Sequence, residues 1–415
     1  RGRVNDFLMR IVRANVREAV QVEGDLYSLA ACNDIGAKRL LETMDEFGLD
    51  DIDEVSEHII STSRASMLAA IQALPRGTFK QSMRVDGHER EIDLVATLTI
   101  SESGIDVDFD GTSSVSTLGI NVPITYTQAY ASFGVRCVVG ANIPNNAGSL
   151  EPVRVTAPPG SILNAPPPCG VCARHVTGQM LPDVVLGCLH QVDGLEVPAE
   201  GASSLWNPLL MNGALGQTAG GNSRNAQFAV NIFHSGGTGA RPGQDGLSST
   251  AFPSGVRNTP VEISETIAPL VIRRKEYRTD SGGAGRHRGG LGQDMEIAHA
   301  DDAPYIVSAM FDRVANPARG RSGGLSGAAG VVRLSSGALL ATKGRQDVPP
   351  MDSLHLGMPG GGGLGCPTER AAQAVAEDVR DGLVSVSAAR ELYRVACDEA
   401  GNLDTRQTDA LRGEP

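Results

Sequence analysis

The stretch Asn231 to Glu265, NIFHSGGTGARPGQDGLSSTAFPSGVRNTPVEISE, constrains this chain most, because it cannot build a core of its own. It holds six glycines, two arginines, two asparagines, two glutamates, one aspartate and one histidine, with neither helical nor strand periodicity. Few of its side chains can leave water, and each glycine loses more backbone freedom on ordering than any other residue would. An ordered irregular segment of this length is uncommon in a compact domain and marks a place where work is done. The expectation is that the remainder of the chain is built to hold it.

On the N-terminal side, Val4 to Leu74 carries helical spacing, with Phe7, Leu8, Ile11 and Val12, then Leu40, Leu41, Met44 and Phe47 recurring at three and four. Gly48 is a stop, Asp50 to Asp53 caps the next helix and makes its first turn acidic, and Pro75 ends it. From Gly77 the period becomes two: Phe79–Val85, Ile92–Ile100 and Ile105–Asp110 predict three strands joined at Asp86-Gly87 and Ser103-Gly104, an antiparallel meander with one wet face. Pro123 to Val139 reads as a buried helix with proline in its first turn. His175 to Val192 reads as another, which Pro182 kinks or leaves intact. Glycine-rich sequence follows through Gly213-Ala-Leu-Gly and Gly220-Gly-Asn-Ser.

Beyond the central stretch, strands are predicted at Leu270–Tyr277, Met295–Ala298, Tyr305–Phe311 and Val331–Leu334. The run Pro359-Gly-Gly-Gly-Gly-Leu-Gly precedes two helices, Thr368–Asp381 and Val386–Ala396, with Gly382 as the stop and Ser385 or Ser387 as the cap. The fold class expected is α+β: an N-terminal helical segment over 1–76, a core of mixed and antiparallel sheets with packed helices and long glycine-rich loops over 77–365, and a C-terminal helical pair with a tail over 366–415.

A chain of 415 residues suffices for two or three domains at ~100–200 residues each. Its net charge of −12 argues against a nucleic-acid partner, which needs a concentrated basic face. Seven scattered cysteines read as reduced thiols of a cytoplasmic protein rather than a disulfide framework. No apolar run approaches the ~20 residues that span a bilayer, so no membrane is expected. The chain opens on Arg1 with a helix already in progress, the mark of a processed, trimmed or partial chain.

Three groups could carry chemistry. Cys169-Gly-Val-Cys172 has metal-ligand spacing, with His175, Cys188 and His190 nearby, but lacks a second pair; thiols lining a helix entry fit better. Gly282-Gly-Ala-Gly-Arg-His-Arg-Gly-Gly has the composition of an anion cradle, yet no helix follows it as the dinucleotide fingerprint requires, and a tight turn between strands is the simpler reading. In the central stretch His234, Arg241, Asp245, Asn258 and Glu262 could supply acid–base and carboxylate-clamping groups, or hydrogen bonds that only shape the loop. His175 at a helix N-terminus would be a neutral donor or a plain surface histidine.

Several segments, in order, resemble the hydantoinase B family, which includes the B-type part of 5-oxoprolinase and related subunits of acetone and acetophenone carboxylases. They are DFDGTSS (Asp108 to Ser114), IPNNAGSLEPVRVTAPPGSILN (Ile143 to Asn164), GGTGARPGQDGLSS (Gly236 to Ser249), RNTPVEISE (Arg257 to Glu265), DSGGAGRHRGGLG (Asp280 to Gly292), PGGGGLGCP (Pro359 to Pro367) and VAEDVRDGLVSVSAAR (Val375 to Arg390). The resemblance implies an ATP-dependent opening of a cyclic amide, in which a hydantoinase A-type partner binds ATP and phosphorylates the substrate while the B-type chain handles the activated intermediate. It implies a divalent metal, Zn or Mn, through an N-terminal segment that has no counterpart here, so that metal is expected from outside this chain, on a separate polypeptide or upstream. Alternatives are a ketone carboxylase subunit and a noncatalytic assembly subunit. Within this reading Asp245, Arg241, Glu262 and His175 are the expected catalytic residues. Asn258, His234, Gly236, Gly237, Asp280 and Arg286 are expected to bind substrate, and no metal ligand is assigned within the chain.

Overall fold

A computed structural model describes residues 3–16, 19–203, 205–212 and 228–413, so the glycine-rich sequences at 213–216 and 220–223 lie outside the described residues. The N-terminal segment forms three helices, α1 (Asp6–Asn15), α2 (Ala19–Phe47) and α3 (Asp53–Gln72). Asn5 caps α1 by accepting from the Phe7 and Leu8 amides. No residue of α2 is buried, and the arm joins the body through α3, whose Met67 and Ile71 are fully buried. None of the described helices is long and apolar enough to cross a membrane.

The predicted meander is present as β1 (Gly77–Val85), β2 (Ile92–Ser101) and β3 (Gly104–Asp108). Ile92, Leu94, Ala96, Leu98 and Ile100 point inward from β2, while its other face stays half-wet, as the period of two demands. Helices α4 (Ile124–Arg136) and α5 (Ala147–Leu150) follow, and β4 (Val153–Thr156) joins the edge of the sheet parallel to β3. The helix expected over His175–Val192 is two, α6 (Arg174–Gly178) and α7 (Leu181–Leu189). Pro182 lacks an N–H for continuing the first helix and instead occupies the opening turn of the second. All nine residues of α7 are buried, and it packs against α4 and the first two strands to form one core.

A second core lies among short strands: β5 (Leu205–Trp206), β6 (Leu209–Asn212), β7 (Ala229–Asn231), β8 (His234–Ser235), then, after helix α8 (Val261–Ile267), β9 (Leu270–Tyr277), β10 (Gln293–His299), β11 (Tyr305–Met310), β12 (Val331–Leu334), β13 (Lys343–Val348) and β14 (Ser353–Gly357). They pair antiparallel as β12-β14-β10-β9, β13-β11-β6-β7 and the two-stranded β5-β8. Trp206 and Phe311 stack at the centre with ring centroids 4.3 Å apart. At the C-terminus a 3₁₀ turn (Pro367–Glu369) takes the place of the first residues expected to be helical. Helices α9 (Ala372–Arg380) and α10 (Val386–Tyr393) match the predicted pair, with Ser385 capping the second. A further helix, α11 (Thr405–Gly413), lies where the sequence pattern suggests only a tail.

The glycine-rich segments are packed into one another. Gly361 N–H donates to Gly290 at 2.9 Å, Gly290 to Thr238 at 2.9 Å and Gly363 to Leu325 at 2.9 Å. Along 360–363, a Cβ would strike Ser281, Thr238, Arg319 and Ala284 carbonyls in turn. The first and fourth of these neighbours lie on one segment, three residues apart, as Gly360 and Gly363 are. At Gly237 an added Cβ would lie 1.8 Å from the Gly290 oxygen, so no other residue fits there. The Gly282–Gly290 sequence is accordingly a layer of this bundle rather than the tight turn expected from it.

Candidate functional site

The central stretch contributes to two places. At the first, Arg241 and Gln244 exchange backbone hydrogen bonds at 2.9 and 3.0 Å across a turn that Gly243, with φ of 72°, permits. The Arg241 guanidinium donates to the Asp245 carbonyl at 2.9 Å. The Asp245 carboxylate accepts both terminal nitrogens of Arg370, at 2.7 and 2.8 Å, and the Arg288 amide at 2.7 Å. Asp378 on α9 accepts Arg370 at 2.8 Å and Arg288 at 3.3 Å. Burial pushes the Asp245 carboxyl up, but the hydrogen bond and charge of Arg370 outweigh it and hold the group below the usual carboxylate range. Two buried arginines and two aspartates thus fasten the glycine bundle to the C-terminal helices.

The second place is a cleft lined by Gln179, Ala202, Ser203, Leu205, Ser235, Gly236 and the segment Thr250 to Phe252 with Ser254. Its cavity volume is about 10 Å³. The β5-β8 ladder sets Ser235 opposite Leu205. Asn258 holds the adjoining loop by accepting the Ser235 amide at 3.0 Å and donating to the Ser249 carbonyl at 2.8 Å. Behind the cleft, in the first turn of α7, sits Asp183, which is 1% exposed. It accepts the Ser203 hydroxyl at 2.6 Å and the Gly201 amide at 3.1 Å, and meets Arg313 at 3.5 Å. Burial raises the Asp183 carboxyl to about 6, with Arg313 opposing and Glu200 adding to the shift. Glu200 is pushed up by burial but pulled further down by Arg313 and Arg319, so this second carboxylate remains firmly ionised.

The expected site residues divide between these places. Gly236 lines the cleft and Asn258 braces it, while Gly237 lies one residue on and donates to the Pro359 carbonyl at 3.1 Å. His234 is fully buried, paired with Trp206, and strand alternation turns its ring to the face opposite Ser235. Both of its ring nitrogens lack a hydrogen-bond partner among the described residues, and burial, assisted by Lys275, lowers its pKa to about 3. His175 begins the helical turn that ends at Gln179; its Nε2 is 3.4 Å from Asn207, and burial lowers its basicity more than Asn207 restores it. Asp245 belongs to the ionic fastening; Arg241 braces its main-chain carbonyl, and the carbonyl of the exposed Arg286 accepts Arg370 at 3.3 Å. Asp280, at φ of 62°, accepts at 2.8 Å the amide of Ser385, the residue that caps α10. Glu262 is exposed in the first turn of α8. The ten residues are therefore not one constellation. Sequence reasoning assigns no role to Asp183, Ser203, Arg370 or Asp378; the signals for them are an aspartate inside the apolar run LPDVVLGCL and, for Asp378, its place in VAEDVRDGLVSVSAAR.

Among the described residues no three His, Cys, Asp or Glu side chains come together as a metal site. All seven cysteines are free. The described residues therefore offer no donor set that fits a divalent metal.

A family model described as hydantoinase B/oxoprolinase matches residues 1–367. The chain belongs to that family. It is 27% identical to a protein of Pseudomonas sp. (strain NS671) provisionally named as the B component of a D-/L-hydantoinase, over 99% of this chain and 71% of the relative. It is 26% identical to the beta component of caprolactamase from Pseudomonas jessenii, over 99% of this chain and 72% of the relative. Among solved structures, ATP-dependent caprolactamase from Pseudomonas jessenii superposes with a TM-score of 0.83 at 22% identity, covering 99% of this chain and 73% of that one. Nucleotide-free acetone carboxylase gives 0.70 at 20% identity, covering 91% and 57%. Both show that the α+β fold of the family is the fold of this chain. As a B-type member it is related to chains named as subunits, and so to proteins that work with a partner.

Proposed function

We propose that this chain is the B-type subunit of an ATP-dependent cyclic amide hydrolase of hydantoinase or oxoprolinase type. It takes an intermediate that a hydantoinase A-type partner has phosphorylated at the expense of ATP. The observation that supports this most is the family match over residues 1–367 together with relatives named hydantoinase, caprolactamase and 5-oxoprolinase, whose names all denote cyclic amide substrates. An unstrained amide is a poor electrophile, and phosphorylation of its oxygen supplies a leaving group. ATP is assigned to the partner because this sequence carries no nucleotide-binding fingerprint, and its glycine run at 282–290 leads into a strand rather than a helix. A Zn or Mn ion, where the family uses one, is assigned to a segment outside this chain, and no step here is routed through it.

The cleft supports the reading chemically. It presents neutral donors and acceptors, the hydroxyls of Ser203, Ser235, Thr250 and Ser254 and the carboxamide of Gln179, beside an aromatic wall at Phe252. At about 10 Å³ such a lining has room for a water and not for the phosphorylated ring itself. The test is phosphate release by the purified chain and its ATP-binding partner over hydantoin, 5-oxoproline and caprolactam. Ring opening that needs both chains and ATP supports the proposal; ATP turnover with every ring intact would refute it.

A further inference from the structure

We infer that the cleft between α6, β8 and the Thr250–Ser254 loop holds the water that opens the ring, and that Asp183 draws a proton from that water through Ser203. This rests on the hydrolase reading and names how its second substrate is bound.

Size comes first. A cavity of about 10 Å³ has room for one water, and a buried water needs two to four polar partners. Three polar side chains line or border the cleft. Ser203 is 7% exposed and commits its proton to Asp183 at 2.6 Å, which leaves its oxygen lone pairs to accept from a water. Ser235 is 3% exposed, and its hydroxyl has no partner among the described residues. Gln179 is 4% exposed, and its carboxamide makes no hydrogen bond among the described residues while it lines the cleft. A buried hydroxyl that no described residue satisfies is costly unless a ligand satisfies it.

Asp183 supplies the driving force. Its Oδ2 takes the Ser203 proton, whereas its Oδ1 is buried with no partner among the described residues. At neutral pH a carboxyl near 6 is ionised yet basic enough to accept a proton. In the step, the water oxygen bonds to the activated ring carbon and the C=N electron pair moves to nitrogen, which is protonated from solvent. One water proton passes to Ser203 Oγ as the Ser203 proton passes to Asp183 Oδ2. On collapse the C–N bond breaks as a C=O forms; the remaining hydroxyl proton goes to the departing nitrogen, which leaves as the amine end of the opened chain. The acyl phosphate that remains is hydrolysed by a second water to carboxylate and phosphate, and Asp183 returns its proton to solvent. Ser203 touches the reacting water; Asp183 is a positioning residue that acts through it.

The test uses the complex with the ATP-binding partner, on whichever of hydantoin, 5-oxoproline and caprolactam it opens. Ser203→Ala and Ser203→Gly both remove the hydroxyl, and glycine also suits the left-handed backbone at φ of 48°. Both are expected to lower kcat ~10²–10³-fold with KM and melting temperature little changed. The acid limb of the wild-type rate, centred near the Asp183 value of about 6, should flatten in both. A crystal structure of the unmodified chain should show an ordered water within hydrogen-bond reach of Ser203 Oγ and Ser235 Oγ. Ring opening at an undiminished rate in Ser203→Gly, an unaltered pH profile, or a cleft closed to water would overturn the inference alone. A wild-type complex that opens none of the rings would bring down the hydrolase reading, and this inference with it.

Discussion

Replacing Asp245 by asparagine should loosen the join between the glycine bundle and the C-terminal helices. The wild-type carboxylate receives two hydrogen bonds from Arg370 and one from the Arg288 amide. Asparagine keeps one acceptor and turns an NH₂ toward the guanidinium, donor against donor. Removing one partner of a buried ion pair costs about 3–5 kcal/mol. Here the figure is smaller, because Asp245 is 32% exposed and Asp378 still neutralises Arg370 at 2.8 Å. We expect about 2 kcal/mol, or roughly 4–8 °C in melting temperature at 2–4 °C per kcal/mol.

The pH dependence carries a sign. A carboxyl held below its unfolded value contributes stability that is present above about pH 4 and lost as pH falls through the folded value. The gap between wild type and Asp245→Asn should therefore be full at neutral pH and shrink on acidification, read by thermal melts at pH 7 and in steps below pH 4. A double-mutant cycle with Arg370→Ala should return a coupling of at least about 1 kcal/mol. A variant that melts within a degree of wild type at pH 7 would refute the fastening role.

Gly361→Ala should destabilise by about 3 kcal/mol or more, since its Cβ would lie 1.9 Å from the Thr238 carbonyl oxygen. Gly24→Ala, on the open face of α2 with nothing within 4 Å, should instead stabilise by about 0.5–1 kcal/mol; equal melting shifts of one sign would contradict the packing described. The His234 ring should remain neutral from about pH 5 to 8 by NMR. Because the unfolded chain binds that proton more readily, stability should fall as pH drops from about 6.5 toward 3, and a midpoint near 6.5 in the folded protein would place the ring in water.

What the sequence discloses follows from what is local. Strands with one wet face are visible as alternation, so β1 to β3 appear at nearly their true bounds, and Val331–Leu334 appears at its own. Ser353–Gly357 is not legible, because both its faces are buried and a serine, a histidine and a glycine stand among its five residues. Lys343–Val348 is hidden by polar side chains on an exposed ladder. The glycine-rich segments are readable as special, but their mutual packing depends on contacts such as 361 with 238, which no window of sequence contains. The same distance conceals the ionic fastening: Asp245 and Arg370 are 125 positions apart. Asp183 and Ser203 carry no motif, and only the fold sets one 2.6 Å from the other beside a cleft.

The central claim is that water, and not bicarbonate, attacks an activated cyclic amide at this subunit. It is tested most directly by mass spectrometry of the product formed by the chain with its ATP-binding partner in ¹⁸O-labelled water and ¹³C-labelled bicarbonate, with hydantoin, 5-oxoproline and caprolactam offered in turn. The account predicts a ring-opened acid that carries label from water and none from bicarbonate. A product that has gained the labelled carbon would contradict it.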